Sequence, residues 1–123
     1  MTASSRIAVV AAACGAAAVA LGAFGAHALR NELDAAALQT WHTAVEYQFW
    51  HAMALLAAAF APVSRWRSAS AISLALGIFV FCGSLYALAL GAPRAVGAMT
   101  PLGGACFMIG WFSLAAAFWR TAR

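Results

Sequence analysis

Lysine is absent from this chain, and ionic side chains of any kind are scarce. Among 123 residues only seven arginines and three acids, Glu32, Asp34 and Glu46, carry formal charge. Charged residues make up 8% of the chain and hydrophobic ones 66%, whereas about a quarter charged is usual in a soluble domain. So few ions cannot cover a water-soluble globule of this size, and the composition points to lipid as the solvent. The scattered arginines make no basic stripe with interleaved aromatics, so no nucleic-acid partner is expected. Cysteine is also scarce. Cys14, Cys82 and Cys106 stand alone in apolar surroundings without C-x-x-C spacing, and read as small hydrophobes rather than as a metal site or disulfide framework. Alternation of period two is missing, which disfavours a barrel.

What is present is four long apolar runs, about 7–29, 44–61, 69–91 and 101–119. As helices rising about 1.5 Å per residue, these runs span roughly 27 to 35 Å, close to the hydrocarbon thickness of a bilayer. Backbone groups inside lipid must be satisfied within their own segment, so each run is predicted to be helical. The expectation is a single integral membrane domain over 1–123: all-α, a four-helix transmembrane up-down bundle.

The breaks between runs are marked. Pro62 and "PVSRWRS" follow the second run, and "GAPRAVGAMTP" separates the third from the fourth, with Thr100 expected to cap a helix whose first position is Pro101. In "RNELDAAALQTWHT", Asn31 or Asp34 is expected to cap a helix that continues through Gln39 and Trp41 into the second span, making it the longest. Arg6, Arg65, Arg67, Arg120 and Arg123 fall on one side, and only Arg30 and Arg94 on the other. The positive-inside rule then places both termini in the cytoplasm. Trp66 and Trp119 would belong to the inner aromatic belt and Trp41 to the outer. Arg6, the first run and the "AHA" at 26–28 also suit a cleavable signal, but the run exceeds the usual h-region of about 7–15 residues. A retained span is expected.

The polar residues inside the runs fall at one level. Taking the outer end of the second span near Thr43, Glu46 lies roughly 5 Å and His51 roughly 12 Å deep, with Ser84 and Tyr86 about 7 to 10 Å below the end of the third span. His27 ends the first span and Thr100 begins the fourth. The outer half of the bilayer therefore collects the polar groups, and the inner half is expected to be almost purely apolar. Within the second helix His42 and Glu46 form one i,i+4 pair and Tyr47 and His51 another, on a different face. Polar groups on two faces make this helix the one expected to be most buried. The candidate polar or ligand-binding cluster is His27, Arg30, His42, Glu46, Tyr47, His51, Ser84, Tyr86 and Thr100.

Two readings of the cluster compete. Buried polar groups between membrane helices act as glue, at about 0.6 kcal/mol each on average. Intramembrane ionisable groups also mark proton or ligand sites. No nucleophile–base–orienter set can be assembled and no H-E-x-x-H spacing occurs, so catalysis, a metal and a cofactor are not expected. Small residues at spacings of three and four supply the packing surface: Ala18, Gly22 and Ala26 in the first helix, Ser73 and Gly77 in the third, Gly103, Cys106 and Gly110 in the fourth.

Four segments, "GAFGAHALR", "LQTWHTAVEYQFWHAMALL", "GSLYALAL" and "TPLGGACFMIGW", occur in that order. With them the chain, from about residue 15 to 119, resembles the small membrane-protein family of domain of unknown function 423. The resemblance implies a multi-pass membrane protein with no established enzymatic activity, cofactor or catalytic residue. Its motif positions correspond to Gly22, Gly25, His27, Trp41, Tyr47, His51, Ser84, Tyr86, Pro101 and Gly104. It also implies a polar residue of varying charge where Glu46 stands, which moves weight toward His27, Tyr47 and His51. The expected role is non-enzymatic, in packing, assembly or lipid contact, with membrane lipids and either a second copy of the chain or other membrane proteins as partners. The alternative is a small transporter or channel subunit binding protons or a small ligand.

Overall fold

Polar caps, not hydropathy, fix where three of the four helices begin. In the computed structural model, which describes residues 1–122, helix α1 runs Ala3–His27 behind Thr2, whose side chain accepts from the Ser5 amide. Helix α2, Ala35–Phe60, starts behind Asp34, which accepts from the Ala37 amide at 2.8 Å. Helix α3, Arg65–Ala89, starts behind Ser64, which accepts from the Arg67 amide. These side chains satisfy N–H groups that a helix start otherwise leaves unpaired. Helix α4, Met99–Trp119, is different. It follows a 3-10 turn, Arg94–Ala98, and has no side-chain cap. Thr100 is therefore not the cap expected from sequence; its hydroxyl is spent on Ser84 instead, 2.6 Å away.

The fold is all-helical, and three of its helices, α1, α3 and α4 with its leading turn, are long and apolar enough to cross a membrane. The remaining one, α2, has 26 residues and is the longest α-helix, but Glu46, Gln48 and His51 dilute its apolar content. It is also the helix that packs against all three others. Its buried stripe runs Trp41, Ala44, Gln48, His51, Leu55 and Ala58, at spacings of three and four. In contrast α1 buries only Ala11, Ala18 and Gly25, one residue in seven. That seven-residue seam replaces the four-residue ridge read from the sequence, since Gly22 is half-buried and Ala26 exposed.

Neighbouring helices run antiparallel. Trp41 meets Leu21 while Gln48 meets Cys14, and Ser70 meets Gly110 while Ser84 meets Thr100. The main core gathers Leu55, Leu74, Cys82 and Phe107 between α2, α3 and α4. Large apolar side chains remain outside: Phe60, Phe79, Phe112 and Trp119 are each 66 to 78% exposed. An outer surface of this kind is suited to lipid and not to water.

One element was not foreseen. Residues Ile78–Cys82 form a single π-helical turn inside α3. A turn of this kind holds one residue more than an α-turn, so the inward face shifts. Before it Leu74 and Gly77 are buried; Cys82, its last residue, is buried, and after it Ser84 and Ala89. Beyond Ala89 the helix ends on Leu90 and Gly91, whose φ of 97° lies in the left-handed region that glycine tolerates. The Ala92 amide reaches back to the Ala87 carbonyl and the Gly91 amide to Leu88, closing the end in a Schellman arrangement.

Two further expectations change. Trp41 is no belt residue: it is 3% exposed and packs in the core. Nor is the opposite half of the molecule purely apolar. Arg67, Ser70 and Ser113 are buried there, Ser70 donating to the Gly110 carbonyl at 2.9 Å to tie α3 to α4.

Candidate functional site

The polar chemistry of the molecule converges on Gln48. It lies seven residues after Trp41 on the buried stripe of α2, which brings it to the junction of three helices. Its Nε2 donates to the Cys14 carbonyl of α1 at 2.9 Å, and its Oε1 accepts from the Tyr86 hydroxyl of α3 at 2.7 Å. One amide thus uses both its ends between helices. Trp41, a turn or two along, donates its indole N–H to the Leu21 carbonyl at 2.9 Å. Its ring lies against Gly25, where a Cβ would stand 2.5 Å from the indole, and meets Tyr86 edge-on with centroids 4.7 Å apart. Only a residue without a side chain lets the indole approach α1 so closely.

Below this hub lies an aromatic stack. The His51 ring sits face to face with Phe107 of α4 and 5.7 Å from Tyr47, and Tyr47 stacks on Phe81 at 4.6 Å. The Nδ1 of His51 is 2.6 Å from the Tyr47 carbonyl. A carbonyl only accepts, so Nδ1 carries the hydrogen. Gly77 makes the stack possible, since a Cβ there would collide with the Phe107 ring. Ser84 completes the layer, donating to the Phe81 carbonyl inside the π-helical turn at 2.8 Å and sharing a hydrogen with Thr100.

The sequence-predicted residues thus divide. Tyr47, His51, Ser84, Tyr86 and Thr100 lie within this interhelical layer. His27, Arg30 and Glu46 are exposed, His42 is half-buried, and none of the four makes a side-chain hydrogen bond or ion pair among the described residues. Glu46 belongs to the outward stripe Glu46, Phe49, Trp50 and Met53. The carboxylate face of α2 therefore looks away from the bundle, and the phenol–imidazole face looks in.

A groove of about 390 Å³ opens beside the π-helical turn. Gln48, Ser84 and Tyr86 provide its polar wall, and Phe79 and Met99 stand exposed at its rim. The hydroxyls facing it are already bonded to protein groups, and no group of three His, Cys, Asp or Glu side chains comes together among the described residues. Such a wall can accept a small amphiphile by dispersion and an exchanged hydrogen bond.

Most of the hub and the stack, all but Cys14 and Phe107, falls within residues 21–104, which match the model of the family described as "Protein of unknown function (DUF423)". The chain belongs to the DUF423 family. Relatives include a UPF0382 membrane protein of Haemophilus influenzae, 46% identical over 79% of this chain and 80% of the relative. The UPF0382 membrane protein YwdK of Bacillus subtilis is 41% identical over 81% of this chain and 85% of its own. The UPF0382 inner membrane protein YgdD of Escherichia coli K12 is 45% identical over 76% of this chain and 73% of its own. No solved structure matches. This DUF423 chain is a helical protein of the cell membrane.

Proposed function

We infer that the protein is a non-enzymatic, four-span inner-membrane protein whose helices form an up-down bundle with both termini in the cytoplasm. Its role is packing, assembly or lipid contact, and its partners are membrane lipids and a second copy of the chain. The observation that carries the non-enzymatic reading is the state of the polar groups. Gln48, Trp41, Ser70, Ser84, Thr100 and Tyr86 all spend their side-chain hydrogen bonds on other protein groups. A catalytic site keeps a nucleophile or base available to substrate; apart from the Tyr47 hydroxyl and His51 Nε2, this layer commits its groups to protein contacts. The outward carboxylate of Glu46 on an apolar stripe supports contact with a second copy, because a lone charge facing lipid gains from any polar partner.

The groove beside the π-helical turn favours a second reading, a transporter or channel subunit, since π-turns recur at functional sites. Stability and flux separate the two. For the structural role, His51→Ala lowers stability in detergent by about 2 kcal/mol through the cavity left under Phe107, while Glu46→Gln changes it by less than about 0.5 kcal/mol. Neither alters proton or small-cation leak in liposomes. Leak in the wild-type liposomes that either variant abolishes at unchanged stability would overturn the structural role.

A further inference from the structure

Arg67 is a cation without an anionic partner among the described residues. Only 5% exposed, it sits at the end of the bundle where α1 and α3 begin, and its Nη1 donates to the Ser4 hydroxyl at 2.7 Å. Its Nε is buried with no hydrogen-bond partner. No acidic side chain among the described residues reaches it: Glu32 and Asp34 lie in the connection at the far end, and Glu46 is roughly 20 Å along α2 from Phe60. Removing a guanidinium from water without a counter-charge is costly, and buried charges are as a rule paired.

The surroundings match an anion. Arg67 lines a cavity of about 470 Å³ together with Ser4, Ser5, Phe60, Pro62 and Val63. The N-terminal ends of two long helices, capped by Thr2 and Ser64, lie at this same end, each adding the positive pole of its dipole. Ser4 accepts from Arg67, which leaves its hydroxyl hydrogen to donate into the cavity. The remaining wall is apolar, with Phe60 and Val63 exposed at the surface.

We propose that this cavity binds a phosphate-bearing anion, gripped by Arg67 and Ser4, with phospholipid headgroups and free phosphate as its two sources. A guanidinium offers several N–H donors in one plane and suits phosphate oxygens better than a point charge does. The apolar wall gives a lipid acyl chain a place beside the headgroup. The site is separate from the Gln48 hub, so its failure leaves the structural role of the hub untouched.

The test is thermal unfolding of the full chain in an uncharged maltoside detergent. The probes, titrated at matched ionic strength, are dioctanoyl-phosphatidylglycerol, inorganic phosphate and dioctanoylglycerol, which lacks the phosphate. A saturable rise of about 5 °C is expected with a phosphate-bearing probe, and none with dioctanoylglycerol. A response to phosphatidylglycerol alone assigns the headgroup as source; a response to inorganic phosphate as well shows that the free anion suffices. Arg67→Met abolishes the rise. Should that variant fail to fold, Ser4→Ala, at a half-buried position, weakens apparent affinity about tenfold. The absence of a saturable rise with any probe overturns the proposal. So does an equal rise with dioctanoylglycerol, an undiminished response in Arg67→Met, or one in Ser4→Ala if Arg67→Met is not recovered.

Discussion

Replacing Gln48 by leucine leaves the Tyr86 hydroxyl without its acceptor and the Cys14 carbonyl without its extra donor. Hydrogen bonds between membrane helices average about 0.6 kcal/mol and reach about 1.7, so Gln48→Leu is expected to cost about 1 to 2 kcal/mol. Tyr86→Phe costs less, because only one bond is lost. The double variant should cost less than the sum of the singles, since neither then leaves the other's partner stranded. Unfolding of the four proteins from maltoside micelles by added dodecyl sulfate measures the coupling; strict additivity would mean that the two side chains do not act as one unit. Glycines allow a second comparison. A Cβ on Gly103 would come within 2.7 Å of the Phe81 Cα, backbone that cannot move aside, whereas a Cβ on Gly83 meets nothing. Gly103→Ala should therefore lose about 1 to 3 kcal/mol, while Gly83→Ala is neutral or gains up to about 1 kcal/mol in the same dodecyl sulfate titration.

At the scale of the element, the informative feature is the π-helical turn in α3. Because the buried face arrives one residue late after Ile78–Cys82, the turn behaves as a one-residue insertion. Removing Phe79, which is 78% exposed, should restore α-geometry and keep Leu74 and Tyr86 facing inward. Stability is then expected to stay within about 1 kcal/mol of wild type, because packing on either side of the turn is kept. Removing Ile72 from the α-helical part turns every preceding residue by about 100° against α4 and should abolish the fold. Equal losses for the two deletions, in yield and in dodecyl sulfate titration, would show that the turn is not an insertion. This is where the sequence fell short. Apolar runs show where helices lie, and of the two caps open from sequence, Asn31 and Asp34, the second starts α2, but "GIFVFCG" contains no polar residue to show which side faces in. The shift is set by Phe81 and Phe107 fitting past Gly103 and Gly77, a tertiary matter. Gln48 was legible in principle, standing seven residues from Trp41 on one face. As a neutral amide it carries less signal than the ionisable Glu46 two residues before it, although that side chain faces outward.

For the molecule as a whole, the proposed four-span arrangement requires α2 to enter a membrane. The other three helices are apolar enough to cross unaided; α2 carries a carboxylate, an amide and an imidazole within its span. Charged and strongly polar residues at helix centres oppose insertion by about 2.5 to 3.5 kcal/mol each for Asp or Arg. The amide is satisfied only when α1 and α3 are in place, through Cys14 and Tyr86. Insertion of α2 is therefore expected to be cooperative with α1, whose antiparallel partner it is. The arginines add direction. Arg6, Arg65 and Arg120 flank the end where α1 and α3 begin, while Arg30 and Arg94 stand at the other with Glu32 and Asp34. Reporter fusions after Arg67 and after Arg94 in the intact chain should accordingly fall on opposite sides, cytoplasmic and periplasmic. In a chain starting at Asn31, without α1, α2 should cross in only a fraction of molecules, and the reporter after Arg67 should give a mixed signal. Both intact-chain fusions on one face of the membrane would rule out the four-span arrangement. A clean periplasmic signal after Arg67 without α1 would show instead that α2 inserts from a cytoplasmic start on its own hydrophobicity, and that the Gln48 hub forms only after insertion is complete.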